Sequence, residues 1–189
     1  MKQGNFAQGE HTENNFLKTA QKYHWEVAPA SIVDNMQNHI DFYITKNDKQ
    51  YAVDVKGMKS MNRANPVVQD EWFLVEFIAV TYPRNKIASY HPTFDPLKPD
   101  FTRGSGRPGW LYGKADFIAF ETRKLWILVE PAEIINECSQ IVHFANIAPN
   151  AKEARYKVYS RPERGDLFTY IHKTDIHALA RGRWGKEEL

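Results

Sequence analysis

Residues 39–56, HIDFYITKNDKQYAVDVK, hold the pattern that decides the fold. Ile40, Phe42 and Ile44 alternate with Asp41 and Tyr43. Tyr51, Val53 and Val55 alternate with Ala52, Asp54 and Lys56. A period of two marks strands whose two faces differ in polarity, which predicts strands over His39–Thr45 and Tyr51–Lys56. Between them, Lys46-Asn47-Asp48-Lys49 is polar, with turn-forming residues at its centre. The two strands therefore form an antiparallel hairpin. With Asn47-Asp48 as a two-residue turn, the pairing runs Lys46 with Lys49, Thr45 with Gln50 and, at the far end, Asp41 with Asp54.

Two aspartates then face each other on one side of the sheet, where like charges are destabilising. At an effective dielectric near 20, two unit charges ~5 Å apart repel by about 3 kcal/mol. No fold needs such a pair for stability. A shared divalent cation turns the repulsion into binding, and Mg²⁺ favours one or two carboxylates with retained waters. Lys56, two residues beyond Asp54, projects from the same face. Carboxylates, a metal and an ammonium in one place suit the hydrolysis of a phosphodiester. The metal polarises the phosphate and lowers the pKa of bound water, and Lys56 orients the water or neutralises developing charge.

Upstream, residues 10–24 read as a helix with Phe16, Leu17, Ala20 and His24 on one stripe, and Glu10 and Glu13 on the same stripe. Acids in a first turn also favour the helix dipole, which suffices for Glu10. If this helix packs behind the hairpin, Glu13 supplies a further carboxylate. Trp25–Ala28 is a short strand. Downstream, strands are expected at Trp72–Val80, Ala115–Glu121, Leu125–Glu130, Tyr156–Ser160 and Phe168–His172. Pro131 opens a helix to about His143, and Thr174 caps a short one over Asp175–Ala180. Residues 81–110 carry five prolines and three glycines and read as a long irregular loop, a feature that is usually functional. The fold class is α/β, a mixed central sheet flanked by helices, in a single domain over 1–189.

Composition sets the class. A chain of 189 residues with 42% hydrophobic and 13% aromatic residues has the material for a core and is not intrinsically disordered. No apolar run reaches the ~18 residues of a membrane span. The first residues have no signal-peptide character, and the single cysteine, Cys138, has no disulfide partner in the chain. A reducing, cytoplasmic setting is expected. Net charge is only +2, yet residues 152–186 hold nine Lys/Arg against four Asp/Glu, an asymmetry that permits a polyanionic partner.

Other motifs are excluded. The seven histidines lack HExxH spacing, and no phosphate loop is present. Gly104-Ser105-Gly106 lacks the strand and helix of a nucleophile elbow. Lys59, Arg63, Arg103, Arg107 and Lys114 are candidate phosphate contacts, whereas Arg181, Arg183 and Lys186 read as a basic tail. Trp110 and Tyr112 read as core residues by default.

Glu13 on the opening helix, Asp41 in His39-Ile40-Asp41, and Asp54-Val55-Lys56-Gly57 after twelve intervening residues together resemble the PD-(D/E)xK nuclease superfamily, which includes restriction endonucleases and archaeal Holliday-junction resolvases. The likeness covers about residues 9–57. A resolvase-like flavour comes from Gly9-x-x-x-Glu13 followed by Ala28-Pro29-Ala30-Ser31. Residues Gly109 to Phe117 are similar to a segment of small phage-type members. The resemblance implies a restriction-endonuclease-like fold and Mg²⁺-dependent cutting of DNA, with Mn²⁺ as a substitute, in phage or mobile-element recombination, repair or restriction. It makes Asp41, Asp54 and the Val55 carbonyl metal ligands, Lys56 the catalytic lysine and Glu13 the helix acid. Ile40 stands where the motif has proline, and Gln69 corresponds to a glutamine some members carry. Cutting both strands calls for two sites, hence a homodimer. The alternative is a DNA-binding or assembly protein that keeps the fold without turnover.

Overall fold

In the computed structural model, residues 3–60, 67–80, 94–101, 107–161 and 163–186 are described, residues 3–8 by backbone alone. Along the chain run α1 (Gln3–Lys22), β1 (Glu26–Pro29), a π turn (Asp34–Asn38), β2 (Phe42–Lys46) and β3 (Lys49–Lys56). After these come β4 (Trp72–Val80), β5 (Arg107–Pro108), β6 (Phe117–Glu121), β7 (Leu125–Val129) and α2 (Pro131–Ile141). Then follow β8 (His143–Ile147), β9 (Lys157–Val158), β10 (Leu167–His172), α3 (Lys173–Ala178) and β11 (Gly182–Gly185). The chain divides into two compact units: residues 1–58, 114–131 and 177–189, and residues 59–113 and 132–176.

The first unit holds a six-stranded sheet in the order β1-β2-β3-β6-β7-β11. Only β3–β6 is parallel; the other neighbours are antiparallel, so the sheet is mixed. The fold class is thus the mixed α/β expected. The β2–β3 hairpin has the expected register, Lys46 opposite Lys49 and Phe42 opposite Val53. Asn47 and Asp48 sit at φ 51° and 60°. Positive φ at both central residues is the turn whose twist matches the flanking strands, and Asn and Asp tolerate it better than most residues.

One sheet face is apolar. Phe42, Ile44, Val53, Val55, Ala119, Trp126, Leu128 and Trp184 pack with Phe16 and Ala20 of α1 into one core. Phe16 is its centre, stacking on Phe42 and Trp184 and meeting Trp126 edge-on at 5.3 Å between centroids. Fully burying a side chain of this size stabilises by ~3 kcal/mol, which is what holds α1 to the sheet. His24, expected on the helix stripe, lies beyond the last turn at φ 62°.

The second unit pairs β4 with β10 and β5 and, separately, β8 with β9. Gly109 lies against β4, donating its N–H to the Phe77 carbonyl at 2.9 Å. A Cβ there would stand 2.2 Å from the Glu76 carbonyl oxygen, so only glycine fits. Of the proline- and glycine-rich stretch 81–110, residues 81–93 and 102–106 lie outside the described residues. The described part includes β5 and a buried 3₁₀ turn at Trp110–Tyr112, which places Trp110 and Leu111 in the core. Thr174 is not the cap of a helix start: α3 begins at Lys173, and the Thr174 hydroxyl meets the His172 ring at 2.8 Å.

Arg181, Arg183 and Lys186 do not form a solvated tail. β11 is the edge strand beside β7, Arg181 pairs with Glu130, Arg183 donates to the His177 carbonyl, and Lys186 reaches Glu121. Glycines at both ends and a single tryptophan gave this strand too little apolar alternation to be read from sequence.

Candidate active site

The polar face of β3 carries Asp54 and Lys56. Asp54 is 2% exposed, and its Oδ1 accepts from Lys56 Nζ at 2.6 Å. Its other oxygen, Oδ2, is buried and accepts from no donor among the described residues, and a hydrogen bond to the Asp41 carboxyl is open to Asp54 only when a proton is shared between the two acids. Burial pushes the Asp54 carboxyl up to about 7, the Lys56 ammonium pulls it down, and the Asp41 carboxyl raises it again.

Asp41 reaches this spot by a route the alternation did not predict. β2 starts at Phe42, and Asp41 N–H donates to the Val53 carbonyl at 2.9 Å although Val53 is already the partner of Phe42. Two residues oppose one, a bulge, so Asp41 is not the ladder partner of Asp54. Its side chain turns into the gap where the ladder stops. Asp41 Oδ2 accepts the Val55 N–H at 2.7 Å, and Asn35 Nδ2 donates to Oδ1 at 2.6 Å. Ahead of it the chain makes the π turn and leaves it with His39 at φ 54°. Asp34 anchors that turn, bonded to Ser31 and Asn38, and these hydrogen bonds hold its carboxyl below the usual range.

In an extended strand the N–H and C=O of one residue point to the same side. With its N–H on Asp41, Val55 presents its carbonyl to that same edge. A small oxygen donor set results: the carboxyls of Asp41 and Asp54 and one main-chain carbonyl. Among the described residues no three His, Cys, Asp or Glu side chains form a metal-binding group by themselves. Two carboxylates with retained waters nevertheless fit Mg²⁺, and the buried Asp54 Oδ2 is the atom such an ion would satisfy.

Glu13 is exposed on α1, whose apolar stripe covers the Val53 and Val55 face, opposite Asp54 and Lys56. Its link to Asp41 and Lys56 is through charge. Partial burial raises its carboxyl first, the charges of Asp41 and Glu10 raise it further, and Lys56 lowers it. Acid groups on two elements therefore feel one another and Lys56.

The candidate phosphate contacts separate. Lys114 lies in the same unit as the site; its N–H donates to the Asn38 carbonyl at 2.8 Å, and its exposed charge acts on Asp34. Lys59 and Arg107 are exposed in the second unit. Arg63 and Arg103 lie outside the described residues. Gln69, also in the second unit, is engaged in shaping a turn: its amide donates to the Lys59 and Trp72 carbonyls and accepts from the Glu71 and Trp72 N–H groups.

Two neighbours escaped the sequence reading, Asn35 and Glu121. Asn35 sits six residues ahead of Asp41 in an irregular segment, where no periodicity marks it. Glu121 ends an apolar strand, and a lone acid after Phe117-Ile118-Ala119-Phe120 is the one signal that marks it.

No family model matches the chain, and no curated protein matches it in sequence. Among solved structures, that of a bacterial homing endonuclease, I-Ssp6803I, is similar over 69% of this chain and 71% of its own, at 11% identity and a TM-score of 0.42.

Proposed function

We propose that this protein is a Mg²⁺-dependent DNA endonuclease that hydrolyses phosphodiester bonds, with Asp41, Asp54 and the Val55 carbonyl holding the metal. The observation that carries the reading is the pair of Asp54 oxygens, one on Lys56 Nζ and the other buried with no donor among the described residues, beside a second carboxyl, Asp41. Most buried carboxylates with a purely structural role have both oxygens satisfied. When bound, the metal supplies a Lewis acid for the phosphate and an acidified water. Lys56, held 2.6 Å from Asp54, is placed to orient that water and to offset charge developing on the phosphate. Asn35 and the Val55 N–H fix the Asp41 carboxylate so that its orientation is set before substrate arrives. Glu13 adds a titratable carboxyl, able to exchange a proton with the attacking water or the leaving oxygen. Lys114 serves as a DNA-backbone contact beside the site, and Lys59 and Arg107 are exposed cations of the second unit suited to the same role. Double-strand cutting then requires two copies of the chain.

The experiment is cleavage of supercoiled plasmid, linear duplex, single strand and a four-way junction in Mg²⁺, Mn²⁺ and EDTA. Metal-dependent cutting supports the reading, and the preferred substrate separates resolvase-like from restriction-like roles. Folded protein that binds DNA in Mg²⁺ but cuts none of the four would replace it with the alternative, a DNA-binding protein without turnover.

A further inference from the structure

Glu121 is the second buried carboxylate of the first unit, 4% exposed, at the end of β6. Lys56 pairs with Phe120, so Glu121 lies one residue further, level with Gly57. It shares the helix-covered face with Ala119, away from Asp54 and Lys56. Lys186 neutralises it, with Nζ 2.7 Å from Oε1 and 2.7 Å from the Thr122 carbonyl. With its charge met there, Oε2 accepts two donors from two different elements: Thr12 Oγ1 of α1 at 3.3 Å and the Met58 N–H, just past β3, at 3.2 Å. Gly57 permits this closeness, since a Cβ on it would stand 2.6 Å from Thr12 Oγ1.

Each donor is next to, or near, a residue of the site. Thr12 precedes Glu13, and Met58 follows Lys56 by two. We propose that Glu121 is a positioning residue: through Thr12 and the Met58 amide it sets the height of α1 over the end of β3, and thereby where Glu13 stands relative to Asp41 and Lys56. This rests on the nuclease reading, in which Glu13 and Lys56 act on the same phosphate.

Glu121→Gln leaves the Lys186 charge buried without its counter-ion and can cost folding, so the decisive variants are Thr12→Val and Thr12→Ser. Valine keeps the shape and removes the hydroxyl; serine keeps the hydroxyl. The expected result is a fall in kcat for plasmid nicking on the order of 10-fold in Thr12→Val, at unchanged KM, with Thr12→Ser restoring the rate. A lost methyl alone gives the opposite order of the two variants, and unfolding curves on both remove any contribution from a general loss of stability. Thr12→Val nicking at the wild-type rate, or Thr12→Ser as slow as it, would overturn the proposal. Amide exchange provides an arm that needs no catalysis: Met58 and residues 9–16 should exchange several-fold faster in Thr12→Val while the β6–β7 ladder keeps its protection. If the wild type cuts nothing, the nuclease reading fails and the exchange arm alone decides the clamp. Unchanged exchange would sink it.

Discussion

The Asp41 carboxylate accepts the Val55 amide at 2.7 Å, in the place where the next rung between β2 and β3 would lie. A side chain has replaced a strand. The exchange leaves β3 with its backbone satisfied on the β6 side and with an acid on the other. It also brings the second carboxyl beside Asp54 without the direct cross-strand opposition that the turn arithmetic gives. The bulge at Asp41 therefore shapes the candidate site.

Asp54 makes the protein less stable at neutral pH than at acid pH, as far as this one group is concerned. Its folded pKa, about 7, lies above the ordinary carboxylate value near 3.9, so the folded state holds a proton that the unfolded chain has released. That contribution is fully present below about pH 4 and is lost as pH rises through about 7. Asp54→Asn removes the penalty. It should raise stability at pH 8 by roughly 1–3 kcal/mol and leave it unchanged at pH 4, as read by urea unfolding in the absence of divalent metal.

Under the proposed function, metal binding displaces the same proton. The affinity for Mg²⁺ should climb about tenfold per unit of pH below 7 and level off above it. Calorimetry in buffers of different ionisation enthalpy should register close to one proton released at pH 6 and little at pH 8.5. Affinity independent of pH would mean that Asp54 is not a ligand.

Gly57→Ala drives a methyl into Thr12, with contacts of 2.6 Å to Oγ1 and 2.9 Å to Cγ2. A loss of about 1–3 kcal/mol is expected, the usual cost of overpacking. Thr12→Ala removes both clashing atoms, so the double variant should be more stable than the sum of the two singles predicts. Simple additivity would show that the two residues do not meet.

Asp48 adopts φ 60° in the hairpin turn. Glycine takes that conformation without the steric cost that a Cβ carries, and Asn-Gly is the favoured pair for this turn. Asp48→Gly should therefore stabilise by about 0.5–1 kcal/mol, measured by thermal unfolding with cleavage rates unaffected.

The hairpin was legible because its signals agree. Alternation, turn residues and register all point to one pairing, and the pairing places Asp54 and Lys56 on one face whatever happens at its far end. Asp41 was legible as a partner but not as a bulge, because a bulge leaves the alternation of Ile40, Phe42 and Ile44 intact while moving the backbone hydrogen bonds. Asn35 and Glu121 were not legible. Each acts through a contact distant in sequence or through an irregular turn, and period carries no information there. β11 hid for another reason: a four-residue edge strand with glycine at each end has one buried side chain, Trp184, and offers no pattern to count.

The most direct measurement is Mg²⁺-dependent nicking of supercoiled plasmid by wild-type and Asp54→Asn protein side by side, with unfolding curves on the same samples. Asparagine should yield a protein that is at least as stable as the wild type and cuts roughly 10²–10³-fold more slowly, on the order of what loss of an essential electrostatic group costs. Plasmid cut by Asp54→Asn at the wild-type rate would contradict the central claim that this buried carboxylate is the seat of the chemistry.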